Sequence, residues 1–186
     1  MARGLVSWTG RCGVVAIVIG MALAPVGCKG RRNREAPQAA ADTSGSTAAS
    51  VISTADPRAA AQLVRGFYPI EGESWRWTGK DFAVSLGPPR GAAQKGAELT
   101  VQFAIPDDTV HKRPSVTLSA TVGGLKLAPE TYTQAGDLSY SRDVPADRLT
   151  GDTVLFEFTL DKALPPNPPD VRALGIIVSQ VGLQAK

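Results

Sequence analysis

Histidine occurs once and cysteine twice in the 186 residues. That leaves no clustered Cys/His metal spacing and little material for a nucleophile with its base. Aromatic residues are only 6% of the chain, whereas Gly numbers 19 and Pro 14. Gly and Pro are the poorest helix formers, so long packed helices are not expected. No Gly-rich phosphate loop is present. A mean hydropathy of −0.03 excludes a polytopic membrane protein. A concentrated basic stripe is also missing. The formal charge is +3, but residues 1–60 carry +4 and the remainder −1, with its basic side chains spread out. Exchange of counterions with phosphates needs such a stripe, so nucleic acid is not an expected partner.

What is present begins with an export signal. Arg3 and Arg11 form a positive n-region, followed by the uncharged run Gly13–Ala24. That run is shorter than the roughly 20 apolar residues needed to span a bilayer, which fits a cleaved h-region. Pro25-Val26-Gly27-Cys28-Lys29 then resembles the lipobox of bacterial lipoproteins, with a small residue before the cysteine that receives the lipid. Pro25 stands where that family usually has Leu. An ordinary secretory signal or a short uncleaved anchor is the alternative. The resemblance implies lipidation (palmitate among the acyl chains) at Cys28, loss of Cys12 with the leader, and a mature chain with no disulfide. Several acyl chains exceed the two-signal threshold for stable anchoring. Lys29 after the cysteine leans, by analogy with lipoprotein sorting, toward an outer membrane facing the periplasm.

Composition divides the chain into a signal at 1–27, a lipidated Cys28 with linker to residue 61, and a domain at 62–186. From Lys29 to about Ala61, Ala, Ser, Thr, Gly and Gln prevail, and Ala36–Ser50 has too little apolar surface to offset the entropy of ordering. Arg31, Arg32 and Arg34 are placed to meet anionic headgroups or are simply solvated. One or two helical turns are expected after Asp56-Pro57.

Beyond Val64 the hydrophobic period is two. Phe82, Val84 and Leu86 share one face of a strand. So do Leu99, Val101, Phe103 and Ile105, then Val116, Leu118, Ala120 and Val122, then Val154, Phe156, Phe158 and Leu160. Strict alternation gives each strand one buried and one wet face, as in antiparallel sheets. The run Leu174–Leu183 alternates less cleanly and is expected to lie centrally, covered on both faces. Gly123-Gly124 suits a two-residue hairpin. The prolines of Leu164–Asp170 demand an exposed crossing loop. Eight or nine strands in about 120 residues, without a convincing helix, predict a single antiparallel β-sandwich. Jelly roll is the preferred topology and an Ig-like sandwich the alternative.

Two segments sharpen this. Gly66–Gly79, containing Glu71 and Trp75-Arg76-Trp77-Thr78, resembles the opening of galactose-binding-like β-sandwich modules found beside bacterial glycosyltransferases and in cell-envelope proteins. Asp170-Val171-Arg172-Ala173-Leu174-Gly175 resembles their closing element. The resemblance implies that fold and a glycan setting in the envelope, and it implies no catalytic residue.

Trp75 and Trp77 lie two apart and so face the same side of a strand, opposite Arg76. Either both rings fill one end of the core, which the need for volume favours, or they form a platform for sugar C–H faces. In the second case Tyr68, Trp75, Arg76 and Trp77 are the ligand-binding residues. Glu71 is expected to pair with Arg76 or Arg172 as a brace. His111, beside Asp107 and Asp108, has no spaced partner for metal or acid–base work and is expected to be dispensable. Gly136-Asp137-Leu138-Ser139 echoes the opening of GDSL-type hydrolases but lacks a downstream base. The anchor, the tether, the absent catalytic sets and the glycan setting that the resemblance implies together predict a non-enzymatic, cofactor-free lipoprotein acting as a glycan-associated binding or recognition module of the cell envelope. Docking onto envelope proteins is the second reading, and a hydrolase of envelope glycans the weakest.

Overall fold

The computed structural model describes residues 48–186. The signal, Cys28 and the Arg31–Arg34 cluster lie outside the described residues.

The first strand, β1 (Val51–Ser53), precedes a 3-10 helix at Pro57–Gln62, which Asp56 caps by accepting from the Arg58 amide. β2 (Leu63–Glu71) turns into the twelve-residue β3 (Trp75–Leu86). After the short α1 (Ala92–Lys95) comes β4 (Ala97–Ile105), then α2 (Asp107–Val110) and β5 (Val116–Val122). β6 (Leu125–Lys126), β7 (Glu130–Tyr132) and β8 (Gly136–Val144) follow. A 3-10 turn at Ala146–Arg148 leads into β9 (Val154–Leu160), and β10 (Ile177–Ala185) ends the fold. Gly123 and Gly124, with φ of 50° and 80°, make the two-residue turn that pairs Val122 with Leu125. Left-handed dihedrals at both positions match the twist of the flanking strands.

All pairings are antiparallel, and β3 explains how one ten-stranded sheet becomes a sandwich. Its first residues pair with β10 (Trp77 with Ile177), while Asp81–Leu86 pairs with β9 (Phe82 with Phe158). β2 accompanies both halves through three register shifts. At this corner Gly66, with φ of 77°, lies so close to β3 that a Cβ would sit 2.1 Å from the Asp81 carbonyl oxygen. One layer then continues β9–β5 with β6 and β7, and the other β10–β4–β8, with β1 on β10. Successive strands β4, β5, β8, β9 and β10 alternate between layers, so their connections gather at the two ends. The predicted inward rows of β3, β4, β5 and β9 form the buried core. Phe103 of β4 meets Tyr132 of β7 edge-on at 4.9 Å across it. The all-β antiparallel sandwich is as expected from the alternation.

Three details differ from the sequence reading. Besides the helical turn expected after Pro57, three more, at Ala92–Lys95, Asp107–Val110 and Ala146–Arg148, occupy loops where none was convincing. β10 is central in strand order but is not covered on both faces, because Ser179, Gln180 and Gln184 are exposed. A register shift between Val178 and Gln180 breaks its alternation. The domain also starts before residue 62. Ile52 of β1 is 3% exposed, and the Thr54 hydroxyl donates to the Val178 carbonyl at 2.6 Å. The low hydrophobicity of this stretch hides a strand too short to show a period. A chain beginning at residue 62 loses both groups and should be about 3–5 kcal/mol less stable than one beginning at residue 48. Urea midpoints check this, and equal midpoints would mean that β1 contributes nothing.

The outer strands carry protection against added strands. β2 is broken by its register shifts and by Pro69. β8 is regular over nine pairs with β4, yet two of its carbonyls are taken by side chains. The Tyr132 hydroxyl donates to Ser139 O at 2.9 Å and the Arg142 guanidinium to Ser141 O at 2.6 Å.

Candidate functional site

The start of β3 and the loop before β10 are joined in space at one end of the sandwich. Thr78, fully buried, donates from its hydroxyl to the Ile176 carbonyl and accepts from the Ile176 amide, both at 3.2 Å. The Gly175 amide donates to Thr78 O at 2.7 Å. Gly175 has no room for a side chain: a Cβ would lie 2.4 Å from Gly79 O and 2.6 Å from Thr78 Oγ1.

Arg172 organises the crossing loop. It makes a two-pronged pair with Asp170 (Nε–Oδ1 3.0 Å, Nη2–Oδ2 2.8 Å) and reaches Glu71 of β2 at 2.5 Å. Its guanidinium also lies 5.2 Å from the centre of the Tyr68 ring, whose hydroxyl donates to Ala173 O at 3.0 Å. The hydrogen bonds from Arg172 hold the Asp170 carboxyl down at about 2. The folded value lies below the ordinary 3.8, so this pair supports the fold fully above pH 3.8 and is lost only as pH falls through about 2. Glu71 thus braces Arg172, one of the two partners expected for it. Arg76 is engaged elsewhere, donating to Thr54 O at 2.8 Å and Tyr68 O at 3.1 Å.

The loop after β4 approaches from the other side. Its Arg113 is 5% exposed and donates to Lys162 O at 3.1 Å and Gly175 O at 2.8 Å, the two flanks of the crossing loop. Burial pushes its pKa below the ordinary value, with Asp161 opposing. Its Nε is buried without a partner among the described residues. In the sequence Arg113 is one charge in a polar loop, with no local signal of burial. The carbonyls that draw it inward lie 49 and 62 residues away.

Between these elements lies a cleft of about 430 Å³. It is lined by Trp77, by Asp108, Thr109 and Lys112 of the α2 segment, and by Leu164–Asn167, Asp170, Arg172 and Leu174 of the crossing loop. Of the four residues proposed from sequence, only Trp77 lines it. Trp75, half-buried, lays its ring over Gly72, where a Cβ would fall 2.5 Å from the indole. Neither indole belongs to the central core, which corrects the expectation that both fill one end of it. The core reaches its volume with Phe82, Phe156, Phe158 and Tyr140 instead. The shared strand face suggested a coupled pair; the tight turn at Gly72 separates them by giving Trp75 its own seat. Tyr68 and Arg76 are positioning groups beside the cleft rather than part of its lining. His111 is exposed and does not line the cleft. Among the described residues, no group of three or more His, Cys, Asp or Glu side chains is placed to hold a metal.

Fold and site together define an antiparallel β-sandwich domain with a loop-built cleft at one end. The sequence matches no family model and no curated protein. Among solved structures, the chain is similar to a carbohydrate-binding module described as "CBM4 structure and function". The identity is 11% and the TM-score 0.35, over 73% of this chain and 85% of that one. Likeness of that degree assigns neither ligand nor residues.

Proposed function

We propose that this chain is a membrane-anchored, non-catalytic bacterial lipoprotein whose β-sandwich binds glycan at the cell envelope, through the Trp77 cleft. The observation that carries the reading is the company Trp77 keeps. Its half-buried indole shares the cleft with Asp108, Lys112 and Asn167, whose side chains form no ion pair or hydrogen bond among the described residues. An apolar ring face beside a few uncommitted donors and acceptors is the usual make-up of a small-ligand site. It suits a sugar, which offers an apolar C–H face and a rim of hydroxyls. Anchoring rests on the lipobox-like Gly27-Cys28 pair, and an outer membrane on Lys29.

A second reading, docking onto an envelope protein, is favoured by Val171, 79% exposed beside the cleft residues Asp170 and Arg172. The two readings separate on a glycan array probed with the full chain in detergent. Glycan binding that falls at least about tenfold in Trp77→Ala, with the thermal melt retained, supports the first. Binding unaffected by Trp77→Ala, or no binding to any glycan, overturns it. Cys28→Ala should move the protein from the membrane fraction to the soluble fraction or leave an uncleaved precursor. An unchanged fractionation and mass would remove the anchor.

A further inference from the structure

Resting on the glycan reading, we infer that the cleft takes a single terminal pyranose and reads no further along the glycan. An extended saccharide needs a succession of stacking surfaces, and among the described residues the cleft presents one. Of the ten aromatic side chains among the described residues, six are buried in the core: Phe82, Phe103, Tyr132, Tyr140, Phe156 and Phe158. The other four are accounted for one by one. Phe67 packs edge-on against Phe82 at 5.5 Å. One face of the Tyr68 ring carries the Arg172 guanidinium, 5.2 Å from its centre, and its hydroxyl is committed to Ala173 O. The Trp75 ring lies over Gly72. Among the described residues, only Trp77 has its ring on the cleft.

The surroundings agree with a ligand that stops there. The outer face of the β10–β4 layer shows Glu98, Gln102, Gln180 and Gln184, exposed and without a ring on which a second sugar would stack. The cleft volume of about 430 Å³ is near the lower end for small-molecule sites, which run from roughly 300 to 1,000 Å³. Polar groups come from both bounding loops. Asp108 accepts from a hydroxyl, Lys112 donates, and Asn167 does both. Such an arrangement fixes the orientation of one ring. Arg172 contributes little charge to the ligand, because Glu71 and Asp170 neutralise it.

The test is calorimetric titration of the full chain in detergent with galactose, glucose, mannose and N-acetylglucosamine, and with their oligosaccharides up to the tetrasaccharide. The expected result is one sugar type that binds with affinity constant to within about threefold from mono- to tetrasaccharide. Trp77→Ala should lower that affinity at least about tenfold. Asn167→Ala, on an exposed loop where folding is not at risk, should lower it about fivefold without shifting the melt. Affinity rising more than about tenfold with chain length, while still depending on Trp77, overturns this inference and leaves the glycan reading standing. If no sugar of any length binds, both fall.

Discussion

Phe158→Ala should destabilise the domain by about 3–5 kcal/mol, a large part of the roughly 5–15 kcal/mol by which such domains are stable. Phe158 is fully buried on β9, opposite Phe82 on one neighbouring strand and Ala120 on the other. Its ring stacks on Phe82 at 4.8 Å with 12° between planes. Removing it withdraws the transfer energy of an aromatic ring, the stacking contact and the filling of the volume it leaves. Ala120 opposite is too small to move into the gap. Nor does the sheet collapse readily there, because Phe82 sits on the strand that ties the two layers together. Equilibrium urea unfolding followed by fluorescence measures the loss. A change below about 1 kcal/mol would show that the core is loosely packed around this ring.

Gly175→Ala should cost at least roughly 3 kcal/mol and abolish ligand binding in the cleft. The added methyl carbon would stand 2.4 Å from Gly79 O, 2.6 Å from Thr78 Oγ1 and 2.8 Å from Leu160 Cδ1. Only the last of these is the end of a flexible side chain. Relief by moving the backbone would break the 2.7 Å bond from the Gly175 amide to Thr78 O and withdraw the carbonyl that receives Arg113. A buried guanidinium left short of acceptors adds its own penalty. Gly124→Ala is the comparison that isolates the steric cause. Gly124 has φ of 80° and nothing within 4 Å, so only left-handed backbone strain of about 1–2 kcal/mol applies. Equal losses at the two positions would show that close approach is not what makes Gly175 necessary.

The strands were legible in the sequence because β4, β5 and β9 each bury alternate residues along their length. Period-two hydrophobicity reports just that. β1 was not legible. Three residues cannot display a period, and Ile52 acquires its burial only by pairing with β10, more than a hundred residues later. The two segments that resembled an opening and a closing element were visible as text, but their meaning is spatial. Glu71 meets Arg172 across 101 residues, and Thr78 meets Ile176 across 98. Together they brace the end of the sandwich on which the cleft is built. Trp77 was legible as a candidate through its position on one face of a strand. Spacing gave no means to distinguish it from Trp75, since what separates them is a turn at Gly72 and the approach of two distant loops. No local pattern marks a cation such as Arg113 that will be solvated by carbonyl oxygens in place of water.

The occupied carbonyls of β8 matter most where many copies share a surface. Confinement to two dimensions raises local concentration far above that in bulk, and a bare sheet edge in that setting would recruit its neighbour into a growing ribbon. The Tyr132 hydroxyl and the Arg142 guanidinium occupy two of the acceptor positions along the strand, Ser139 O and Ser141 O. Tyr132→Phe with Arg142→Met would free Ser139 O and Ser141 O. With both acceptors free, the β8 edge would offer an added strand two more ladder positions than the native chain does.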